Sequence, residues 1–138
     1  MTRKLQFCDS NIFESLTQGS EYWICVVYPN GKYTGMARNV KPFRVKLVNK
    51  RIPYNPGYWN WPDIDWDLSS NPKYYATRNC VPDIWRYGCV CDTESECAEE
   101  YNKMIDDAIR SIRQYISNKY SKEYVNSIVD SINKKKIK

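Results

Sequence analysis

From Thr93 onward the chain has little choice of structure. Thr93-Glu94-Ser95-Glu96 has the form of a capping box, in which a threonine hydroxyl and a glutamate carboxylate each satisfy an otherwise unpaired amide of a first helical turn. Beyond it Cys97, Tyr101, Met104, Ile105, Ala108, Ile112 and Ile116 recur at three- and four-residue spacing, so they share one face of a helix reaching about residue 117. Asp92, Glu94, Glu96, Glu99 and Glu100 crowd its start while Arg110, Arg113 and Lys119 lie near its end, as the helix dipole favours. Ser121 is placed to cap a second helix with a stripe of Tyr124, Val125, Ile128, Val129 and Ile132. The closing Lys134-Lys135-Lys136-Ile137-Lys138 reads as a frayed basic tail. Two amphipathic helices must bury their apolar faces, and the rest of the chain has to supply the opposing layer.

The front half supplies strands. Residues 22–28 form a β-branched and aromatic run, Asn30-Gly31 is a step that tolerates the positive φ of a tight hairpin turn, and residues 32–38 resume the run. In Phe43-Arg44-Val45-Lys46-Leu47-Val48 strict alternation puts Phe43, Val45 and Leu47 on one face and Arg44 and Lys46 on the other, a half-buried strand with a basic outer side. Five prolines between Ile52 and Pro82 each fix φ and withhold a ladder donor, so this middle segment reads mostly as loop, with short strands at residues 74–77 and 89–91. The expected architecture is α+β: one domain over 1–138, β-rich from 1 to 91 and helical from 93 to 133, with a basic tail at 134–138.

Within the proline-rich middle, residues 54–68 read YNPGYWNWPDIDWDL. Tyrosine and tryptophan supply large contact area at low entropic cost, and a long ordered loop in a small domain usually serves recognition. Tyr54, Tyr58 and Trp59 surround the Pro56-Gly57 step and are expected at the surface, whereas Trp61 and Trp66 suit either a contact surface or the core. The expected partner-binding set is Tyr54, Tyr58, Trp59, Trp61, Asp63, Asp65 and Asp67. The three aspartates are no calcium loop, because positions six and twelve hold Leu68 and Tyr74 in place of glycine and glutamate.

Charge is segregated along the chain. Residues 22–62 carry seven basic groups and no acid, and residues 63–107 carry eleven acids against four basic groups. Such blocks either meet each other in the fold or meet a charged partner. The basic block permits a pocket in which Arg38, Arg44 or Arg51 holds a small nucleotide-like anion between aromatic rings. Nucleic-acid binding follows from the same residues but is opposed by the neighbouring acidic block.

No histidine is present, which removes the Ser-His-Asp and Cys-His designs, and no phosphate loop, nucleophile elbow or metalloprotease pair occurs. The chain is therefore read as a non-enzyme needing no cofactor. Cys80, Cys89, Cys91 and Cys97 could in principle ligate zinc as four thiolates, but they lack a Cys-x-x-Cys knuckle, and buried free thiols are the expectation. The first twenty residues lack a secretory apolar run, and no stretch approaches a bilayer span, so cytoplasmic residence without membrane contact is expected.

At the start of the long helix, TESECAEEYNKMI (Thr93–Ile105), behind a strand-rich front half like a small SH3-like or twisted sheet, resembles small accessory proteins of bacteriophages. The resemblance implies a mobile-element protein that binds a host protein or sequesters a signal molecule. A host protein is thus the expected partner and inhibition or modulation of a host system the expected role, and the second helix could also pair between subunits.

Overall fold

The structure is a computed structural model that describes residues 1–5, 10–28, 39–51, 63–71 and 87–137. Its elements are β1 (Thr2–Lys4), α1 (Ser10–Ser15), β2 (Glu21–Val26), β3 (Val40–Arg51), β4 (Asp63–Asp67), β5 (Gly88–Cys91), α2 (Glu94–Ile116) and α3 (Lys122–Asn133). The five strands form one antiparallel sheet in the order β1-β5-β2-β3-β4. The α+β architecture expected from the sequence is the one observed, with β2, β3 and β5 in the anticipated places. The strands anticipated at 32–38 and 74–77, and the turn at Asn30-Gly31, lie outside the described residues.

Period-two alternation along β2 and β3 builds two cores. Register pairs Tyr22 with Val45 and Ile24 with Phe43, so these residues share a face with Val26, Leu47, Ile64 and Val90. Phe13 of α1, together with Leu5, Leu16 and Leu68, closes that face. The opposite face carries Cys25, Val27, Cys89 and Cys91, and here α2 docks Cys97, Tyr101, Ile105, Ala108 and Ile112 while α3 adds Val125, Val129 and Ile132. The apolar face of β3 therefore looks away from the long helices. Those helices take the thiol-bearing face instead, because β5 inserts between β1 and β2 and presents Cys89 and Cys91 directly in front of the helix that follows it.

Half of the capping box forms. The Thr93 hydroxyl accepts from the Glu96 amide at 3.2 Å, but the Glu96 carboxylate accepts from the Thr2 hydroxyl at 2.8 Å and from the Met1 amino group at 3.0 Å. A tertiary contact with β1 outcompetes the local one. Ser121 caps α3 as anticipated, accepting from the Tyr124 amide at 3.2 Å. The basic tail is tied down as far as Ile137 rather than frayed. Asn102 of α2 donates to the Ile137 carbonyl at 2.7 Å and accepts its amide at 2.8 Å, and Lys136 pairs with Asp106.

Arg3 is the one charged side chain fully inside among the described residues, at 4 % exposure. Its guanidinium donates to the Ser15 hydroxyl at 2.7 Å and to Asp92 at 3.1 Å, and it lies 5.2 Å from the centre of the Tyr22 ring. A buried guanidinium is tolerated only with such a set of partners, and here they stitch β1 to α1 and to the turn before α2.

Candidate binding surface

Two clusters stand out in the sequence, and their described members, the acidic residues of 63–67 and the cysteines at 89, 91 and 97, fall in different parts of the fold. The acidic stretch is β4. Prolines on both sides concealed it as a strand, yet Asp63-Ile64-Asp65-Trp66-Asp67 alternates like one, with Ile64 buried and Trp66 half-buried against the core under α1. Trp66 meets Tyr22 edge-on, ring centres 6.3 Å apart and planes at 89°, which settles Trp66 as a packing residue.

The β3–β4 ladder pairs Lys46 with Asp67, Asn49 with Asp65 and Arg51 with Asp63. The basic row and the acidic row thus meet within the chain. Arg51 reaches Asp65 at 3.4 Å, and Arg44 reaches Glu21 of β2 at 3.8 Å. Hydrogen bonds from the Ser69 side chain and amide, with Lys46 across the ladder, hold the Asp67 carboxyl below the ordinary carboxylate range. Asp67 therefore caps the turn that follows β4, so its carboxylate is engaged in the fold as well as available at the surface. Asp65 stays more than half exposed. A charged alternation of this kind also suits a strand at the end of a sheet, since it discourages pairing with another chain.

Arg51 and Asp63 are partners in register, so the eleven residues 52–62 are held at both ends by the β3–β4 ladder. Tyr54, Tyr58, Trp59 and Trp61 belong to that segment and lie outside the described residues, as does Arg38. Of the three arginines considered for an anion, Arg44 and Arg51 stand seven residues apart on one strand, about 23 Å by strand geometry. Each already faces a carboxylate. The structure does not bring these two together around one small ligand.

Along the same face toward β5 the surface closes. Trp23 pairs with Arg44 on one side and Cys91 on the other, half-buried at the boundary. Behind it Cys25, Cys89, Cys91 and Cys97 are all free and fully buried. Cys80 lies outside the described residues, and Cys25 joins the other three where the sequence suggested Cys80. Only the β2–β5 pairing creates this neighbourhood, so no spacing rule could have found it. The Cys89 and Cys91 sulfurs are 3.8 Å apart, and the Cys25 thiol points at the Cys97 carbonyl at 4.0 Å. Hydrogen bonding with Cys89 and Cys97, then burial, pushes the Cys25 thiol far up. Cys91, which receives hydrogen bonds from Cys89 and Cys97, is held well below the ordinary thiol range. Among the described residues no group of three or more cysteine or carboxylate side chains is arranged to hold a metal ion. Tyr101 closes the cluster from above, and burial raises its hydroxyl to about 12.

No protein-family model, curated protein or solved structure matches this chain. Among the described residues no helix is long and apolar enough to cross a membrane.

Proposed function

We propose that this chain is a non-enzymatic binding protein that engages a partner protein through the aromatic segment between β3 and β4, with Tyr54, Tyr58, Trp59 and Trp61 as anchors and Asp63 and Asp65 at their base. The observation that carries the reading is the Arg51–Asp63 register pair. It brings the residues that flank the tryptophan- and tyrosine-rich stretch 52–62 side by side on the outermost ladder of the sheet, and aromatic stretches between paired strands commonly serve recognition. The half-exposed Arg51–Asp65 pair beside it would form the polar rim of such a contact. The bacteriophage-like opening of α2 makes a host protein the partner class, and inhibition or modulation of that host protein in its cytoplasm the role. Sequestration of a nucleotide-like anion is the second reading, and it loses ground because Arg44 and Arg51 stand seven residues apart on β3, too far to hold one small ligand together.

The test is capture from a host lysate by the full-length chain, repeated with Tyr58→Ala/Trp59→Ala and with Asp107→Asn on the far helix as control. The reading expects one specific partner retained by the wild type and the control and lost by the double variant. Equal capture by all three would sink it.

A further inference from the structure

We propose that Cys25 and Cys89 form an oxidisable pair that closes to a cross-strand disulfide, which makes the thiol cluster between the sheet and α2 a site of reversible modification. The inference rests on register. Cys25 of β2 lies directly opposite Cys89 of β5 in an antiparallel ladder, and facing residues in such a ladder have Cα atoms about 4.5 to 5.5 Å apart. That spacing falls inside the range of about 4.4 to 6.8 Å that a disulfide requires. Both side chains point to the same face, and both are fully buried in the same cluster under α2.

The other combinations fit less well. Cys89 and Cys91 alternate along one strand, which puts their Cα atoms about 6.6 Å apart, at the far limit of the range. Cys97 sits on α2, whose seating against the sheet would have to change to bring its Cα nearer. Packing alone asks only for small apolar side chains here, and alanine or valine would serve. Two thiols in facing register add a reaction that packing does not need.

The oxidant class is a low-molecular-weight disulfide such as oxidised glutathione. One protein thiolate attacks it and releases one thiol; the facing protein thiol then displaces the second. Two protein thiols give up two hydrogens, and the oxidant is reduced to two thiols. Access lies along β1, a three-residue strand at the end of the sheet whose Thr2 hydroxyl is 3.9 Å from the Cys91 sulfur. Oxidant reaches the thiols only when β1 releases the contacts of Met1, Thr2 and Arg3 with Asp92 and Glu96, a local opening of that end of the sheet.

The experiment treats the full, folded chain with excess oxidised glutathione, removes the oxidant, alkylates the remaining thiols in denaturant so that buried ones react too, and maps the peptides by mass spectrometry. The expected result is a peptide linking Cys25 to Cys89 that carries the loss of two hydrogens, disappears on reduction, and still forms in Cys91→Ser. Cys89→Ser must abolish it; should that variant fail to fold, the wild-type map decides alone. Alkylation of both Cys25 and Cys89 after oxidation, or a glutathione adduct on either without the link between them, would overturn the proposal.

Discussion

The helix-side face of the sheet has two halves that solve opposite problems. Under α2 the half formed by β5 and β2 is sealed, with four cysteines and no described lysine, arginine, aspartate or glutamate inside it. The part formed by β4 and the Arg44–Arg51 end of β3 is open, with Val48 at 52 % exposure among Arg44, Lys46, Arg51 and Asp65. One half holds the fold together through burial, and the other is kept wet by ion pairs that contribute little to stability. The lesson is that charge pattern and fold stability are separable here: the conspicuous acidic and basic blocks mostly meet each other, while energetic weight lies with uncharged residues that alternate or recur at helical spacing.

This contrast can be tested from the sealed half outward. Ile105→Ala empties a fully buried position in the middle of the α2 stripe and should cost about 3 to 4 kcal/mol, seen as a fall in Tm of about 10 °C. Val48→Ala on the open half should stay within about 0.5 kcal/mol. Arg3→Leu removes the guanidinium that joins β1, Ser15 and Asp92 and should cost about 2 kcal/mol by denaturant titration. Thr93→Ala strips the α2 cap, at about 1 kcal/mol. The smallest effect belongs to the open half, where a double-mutant cycle on Arg51 and Asp65 should give a coupling below about 0.5 kcal/mol that fades with added salt.

A pH series sharpens the same contrast. The amino-terminal ammonium, then Arg3, hold Asp92 below its ordinary value of 3.8. A carboxyl lowered in the folded state stabilises it fully above the ordinary value, and that contribution is lost as pH falls further through the folded value. Stability measured by urea titration should therefore decline below pH 3.8 in the wild type and decline less steeply in Asp92→Asn.

Both long helices were legible because their signals are local: Thr93 and Ser121 announce the starts, and the apolar stripes follow at fixed spacing. So was the face of β3 that carries Phe43, Val45 and Leu47. What covers that face was not, since six residues around Phe13 form α1 with no periodic signal of their own. β4 was hidden because proline punctuation outweighs a five-residue alternation in a sequence reading. The fourth member of the thiol cluster, Cys25, and the fate of the Glu96 carboxylate depend on which strands become neighbours. Long-range pairing leaves no trace in spacing. Asp65 and Asp67 share the face opposite Ile64 and Trp66 that the alternation suggested, and Asp67 turned out to cap its own turn. The aromatic anchors at Tyr54, Tyr58, Trp59 and Trp61 stay a reading from sequence, now with fixed ends.

The most direct test of that reading is the Tm of Tyr58→Ala/Trp59→Ala set beside the wild type and Ile105→Ala. Rings that serve a partner rather than the core leave Tm within about 2 °C of the wild type. A fall comparable to that of Ile105→Ala would place those rings in the core and contradict the proposed contact surface.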